Sequence, residues 1–218
     1  MLKGVILYGL LIFSLLSSFL TKVKQKGYIN EIRNDDQDSS KIILYLRGFG
    51  LDEDGDDIDN FSIFRLSNSE TELTEKLVKL GRLITVGKNG EYIPEAGFER
   101  KYFSDDQWQA EVAKLIESSH LIILRASTSR WLLWELGEIL KTDARKKMIL
   151  WTKMGYESLG VSGKVRYNVF KKVVKEKFDE ELPDYGFYFA ATSESKNNWE
   201  IATMIEHTPL YQRMEMGY

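Results

Sequence analysis

LIILRASTSRWLLWELGEIL, residues 121 to 140, decides how the chain folds. Its first four residues are an apolar run of strand length, the form taken by strands enclosed on both faces of a sheet. From Arg130 onward the spacing changes. At about 100° per residue, Leu132, Leu133, Leu136, Ile139 and Leu140 share one arc, the stripe a helix turns toward a core. Ser127, Thr128 and Ser129 stand just ahead as candidate caps. The opposite arc holds Trp131, Trp134, Glu135 and Glu138. Such a face is too aromatic for bare water and too acidic for a core, so it is expected to border a pocket, a partner or another aromatic surface.

The same alternation extends both ways along the chain. KIILYLR (41–47), GRLITVG (81–87), HLIIL (120–124), MILW (148–151) and GFYFA (186–190) read as strands. Between them, Ser69 with Glu72 and Ser104 with Gln107 are spaced as capping boxes. The first opens a helix through about Leu80, the second a helix burying Trp108, Val112, Leu115 and Ile116; a charged helix spans Tyr167 to Phe178. GKNGEYIPEAG (87–97), with three glycines and Pro94, is a loop leaving a strand's carboxyl end. The pattern predicts an α/β domain with a parallel five-stranded sheet and helices on both faces, its ligands bound beyond the carboxyl ends of the strands.

Composition narrows the chemistry. With no cysteine and two histidines, disulfides, thiol catalysis, Ser-His-Asp triads and His-rich metal centres have almost nothing to be built from. His120 opens an apolar run, where a structural role is expected. The formal net charge of -3, without a long basic run after the first thirty residues, argues against a nucleic-acid partner. Residues 4–20, GVILYGLLIFSLLSSFL, carry no charge and reach about 25 Å as a helix, close to a bilayer's hydrocarbon thickness. Lys22, Lys24 and Lys26 follow directly, and no small-residue cleavage site does, which favours an uncleaved anchor over a signal peptide or a buried hairpin helix and keeps the rest in the cytoplasm. The expected organisation is an anchor over residues 1–26, a polar linker over 27–40 and a domain over 41–218.

Three motifs fail. GFGLDEDG (48–55) begins like a dinucleotide loop, but Glu53 stands where the third glycine belongs and carboxylates would repel a pyrophosphate. The acidic run Asp52 to Asp59 is no calcium loop, because Gly55 is out of register. Lys88 is no phosphate-loop lysine, since Arg82 replaces the upstream glycine and Asn89 the hydroxyl residue.

The quoted helix survives. Ser129-x-Trp131-x-x-x-Glu135-Leu136, behind LIIL and Ala126-Ser127, resembles the S-x-W-x-x-x-E-L signature of Toll/interleukin receptor (TIR) domains. Leu46 to Phe49, Gly90 to Gly97, Asp105 to Gln109 and Trp134 to Leu136 are similar to segments of bacterial membrane-anchored TIR-like proteins. The likeness covers about residues 41–152 well and the remainder weakly. It implies a flavodoxin-like fold and NAD+ glycohydrolase activity in antiphage defence, with NAD+ as substrate, no cofactor or metal, and homo-oligomerisation on activation at the inner membrane. It puts Glu135 in the catalytic position. Trp131 would stack on a ligand ring, Ser127 or Ser129 would bind ribose or phosphate oxygens, and Arg47, Gly48 and Phe49 would contact the nucleotide. The first strand lacks the family's usual F-I-S-Y type sequence. Such chemistry suits a chain poor in histidine, because the departing nicotinamide leaves as a neutral ring and needs no general acid, unlike an ordinary sugar leaving group. Two alternatives stand beside it: a non-catalytic TIR-like adaptor using the aromatic face for self-association, and a nucleoside deoxyribosyltransferase-like enzyme in which a second base replaces water.

Overall fold

The computed structural model describes residues 41–48, 68–87, 98–152, 163–186, 188–191 and 198–217. The expected anchor and linker, the acidic run, Phe49 and the loop 88–97 lie outside the described residues. Among those that are described, no helix is long and apolar enough to cross a membrane.

Every strand expected from an apolar run is present: β1 (Ile42–Leu46), β2 (Arg82–Val86), β4 (Leu121–Arg125), β5 (Met148–Trp151) and β6 (Tyr188–Ala191). Two short strands join them, β3 (Glu99–Lys101) and β7 (Trp199–Ala202). The sheet runs β3-β2-β1-β4-β5-β6-β7. From β3 to β5 all neighbours are parallel, with Leu44 opposite Ile84 on one side and Ile122 on the other. β6 and β7 pair antiparallel.

The expected parallel five-stranded sheet is therefore corrected to a mixed seven-stranded one. The reason lies after helix α4 (Gly163–Phe178). A helix of that length covers about 24 Å, and the following stretch 179–186, read as extended chain, can retrace about the same distance. It does so without pairing: Pro183 has no N–H to give a ladder, its carbonyl accepts from Tyr167 Oη at 2.9 Å, and Leu182 is buried. Gly186 then reaches Thr152, just past the carboxyl end of β5, where the Thr152 hydroxyl donates to its carbonyl at 2.7 Å. The return leg of the crossover has been spent, so the next strand can only run back down.

Alternation along the strands sorts the core into two layers. Leu44, Leu46, Ile122, Leu124 and Leu150 face α2 (Trp108–Ser118), α3 (Arg130–Lys141) and α4. Ile43, Tyr45, Ile123, Ile149 and Trp151 face α1 (Asn68–Leu77) and α5 (Pro209–Glu215). Helices thus cover both faces, as expected. His120 takes the structural role: its Nδ1 accepts the Ile42 N–H at 3.3 Å where β1 begins.

Candidate functional site

Helix sides fix where the site can be. β1 leads into α1 on one face of the sheet, whereas its neighbour β4 leads into α3 on the other, so the strand order reverses between them. In open α/β sheets, the crevice at the carboxyl ends of two such strands is where ligands sit.

Three of the expected residues meet there. A Cβ placed on Gly48 would lie 2.1 Å from Ser127 Oγ, 2.7 Å from Ser127 Cβ and 3.3 Å from Ser129 Oγ. Only glycine allows the end of β1 to approach the β4–α3 turn so closely. The two hydroxyls shape that turn. Ser127 Oγ accepts the Ser129 N–H at 3.2 Å, and Ser129 Oγ accepts the Leu132 N–H at 3.2 Å, which makes Ser129 the N-cap of α3. The helix thereby points its amino end, the positive end of its dipole, at the crevice. Arg47 is half-buried at the same edge.

Glu135, expected on a face too acidic for a core, is buried. Its side chain is only 2% exposed, buried with Leu132, Leu133, Leu136, Gly137 and Ile139. It sits about 40° from Ile139 around the helix, at the border of the buried stripe. Trp108, the first residue of α2, packs against both Trp131 and Trp134, each ring centre 4.9 Å away. The expectation that the tryptophan face borders another aromatic surface holds, and the surface is Trp108. Trp131 keeps 38% of its surface exposed, with the Arg130 guanidinium 5.4 Å from its ring centre.

Electrostatically, Glu135 is a carboxyl without support. Its Oε2 is shielded from water and has no hydrogen-bond partner, and burial alone pushes its pKa well above the ordinary carboxylate range. Asp106 and Glu99 show the usual opposite behaviour: hydrogen bonds from Ser104 and Lys101 hold them below it. Among the described residues, no cluster of His, Asp and Glu has the makings of a metal site.

Two arginines at this edge escaped the sequence reading. Arg125 ends β4 with its guanidinium 5.0 Å from the Trp151 ring centre, and Arg130 opens α3. The signal was their flanking of the turn ASTS, one on each side. The expected box of Ser104 and Gln107 forms a different contact. Ser104 Oγ donates to Gln107 Oε1 at 3.1 Å, and no side chain caps α2.

Comparisons of the chain with protein-family models, with curated proteins and with solved structures find no match in any of the three.

Proposed function

We propose that the chain is a TIR-like NAD+ glycohydrolase acting through Glu135, with its anchor in residues 4–20 holding it at the membrane. The observation that carries this reading is the burial of Glu135 without a partner beside a tryptophan cluster, on the helix that starts at the crevice. A buried carboxyl with an unpartnered oxygen lowers stability, and carboxyls of that kind concentrate at sites where their chemistry is used. The parallel order β2-β1-β4-β5 matches the first four strands of a flavodoxin-like sheet, which is compatible with the same family, while antiparallel β6 departs from it.

In the proposed reaction the pyridinium nitrogen already carries the positive charge, and breaking its bond to ribose releases neutral nicotinamide. Charge moves onto the ribose ring, and water is the acceptor. Glu135, once ionised, stabilises that charge and holds the ribose hydroxyls. The incoming cation favours the ionised form, offsetting what burial opposes. The amino end of α3, with Arg47 and Arg130 nearby, suits the pyrophosphate. Release of nicotinamide by the full-length protein tests the reading: Glu135→Gln is expected to lower it roughly 10²–10³-fold. Equal rates from wild type and variant would exclude the carboxylate mechanism. Because Glu135 must lose a proton first, kcat/KM is expected to rise with pH through a midpoint above the ordinary carboxylate range.

One observation favours a second reading. Exposed Trp131 beside Arg130 offers an aromatic and cationic face of the kind used at interfaces, which suits a non-catalytic adaptor. In that case wild type stays silent even when assembled, and Trp131→Ala abolishes self-association.

A further inference from the structure

A second cluster of unsatisfied polar groups lies at the far end of the sheet. Arg145 belongs to the short 3-10 turn Asp143–Lys147 that leads into the first residue of β5. Trp199 opens β7 and pairs with Ala191, the last residue of antiparallel β6. Both therefore sit at the amino ends of the parallel strands, opposite Gly48 and Ser127.

Arg145 is 5% exposed and its Nη1 donates to Glu180 Oε2 at 2.8 Å. Its guanidinium carbon stands 5.2 Å from the centre of the Trp199 ring. Among the described residues, three N–H groups here are shielded from water with no acceptor: Arg145 Nε, Arg145 Nη2 and Trp199 Nε1. Nε and Nη2 form the side edge of the guanidinium, the fork that matches two oxygens of one oxyanion. The indole adds a third donor that can accept nothing. A bridging water answers such a set poorly, because its own hydrogens then need acceptors among groups that only donate. Glu180 already balances the charge of Arg145, which favours a singly charged guest over a divalent one.

We propose that Arg145 and Trp199 form a binding site for a small carboxylate, held by the side edge of the guanidinium and the indole N–H. The site is separate from Glu135 and does not depend on the activity proposed for it.

The test follows the five indole N–H resonances of the full-length protein while acetate replaces chloride at constant ionic strength, with inorganic phosphate as a parallel titrant. Trp199→Phe keeps an aromatic ring beside Arg145, removes the donor and identifies the resonance. The Trp199 signal is expected to move saturably with acetate, more weakly with phosphate and not with chloride, and Tm is expected to rise with acetate as binding to the folded state requires. Trp199→Phe, read by the acetate concentration needed for the same rise in Tm because its own resonance is gone, should weaken acetate about tenfold, the worth of one hydrogen bond to a charged group. Arg145→Lys, which retains the positive charge but lacks the fork, should abolish saturation. A Trp199 signal unmoved by acetate, or moved equally by chloride, overturns the proposal on wild-type protein alone. Stronger binding of phosphate than of acetate would overturn the charge argument.

Discussion

A buried carboxyl with neither a cation nor a donor on its Oε2 among the described residues works against the fold that contains it, and Glu135 is such a group. The sign follows from where the proton is held. Because burial raises its pKa, the folded chain keeps a proton that the unfolded chain has released above the ordinary carboxylate range. Stability attributable to this residue is therefore greatest in acid and is lost as pH rises, until the folded carboxyl also ionises. Glu135→Gln is expected to raise Tm, by more at about pH 8 than at about pH 5, with each kcal/mol gained read as about 2–4 °C in a chain this size. Thermal denaturation at the two pH values checks it; a Tm lowered at both would mean that the carboxylate is held by favourable contacts. Gly48 makes an opposite kind of demand. Gly48→Ala forces a methyl group into Ser127 and should cost about 1–3 kcal/mol. Ser127→Gly clears the space, so the double variant should be more stable than the sum of the single effects, as urea titrations would show.

Helix α3 owes its start to one hydroxyl. Ser129→Ala removes the acceptor of the Leu132 N–H and is expected to cost about 1 kcal/mol, whereas Ser129→Asp should retain most of the stability; urea midpoints distinguish the two. At this scale the sequence was most informative where burial is complete. β1, β2, β4 and β5 are enclosed on both faces and read as unbroken apolar runs, and Ser129 precedes its helix as a cap should. Glu99-Arg100-Lys101 carries no such signal, because β3 is a short charged strand at the sheet's edge. Strand direction at β6 was legible only through Pro183, whose missing N–H stops the preceding stretch from pairing. The position of Glu135 was hidden for another reason. A helical wheel describes one helix, while burial also depends on what packs against it: Trp131 and Trp134, on the same arc as Glu135, are met by Trp108 from a different one.

For the molecule as a whole, the buried pair Arg145–Glu180 joins the turn after α3 to the chain leaving α4, with Trp199 of the terminal strand stacked beside it. Glu180→Leu leaves a guanidinium buried without its counter-ion and is expected to destabilise by about 3–5 kcal/mol. Combining it with Arg145→Met should recover most of that loss, measured by urea denaturation; no recovery would show that Glu180 acts through other contacts. The far edge of the sheet is less guarded. Ile201 on β7 is 72% exposed, on a strand that pairs on one side only among the described residues and carries no lysine or proline to discourage pairing. The indoles of Trp108, Trp131 and Trp134 have an optical consequence as well. Chromophores with centres 4.9 Å apart couple their electronic transitions, so near-ultraviolet circular dichroism should carry a paired-sign band specific to the docking of α2 on α3. Loss of that band would time the separation of the two helices without any added label.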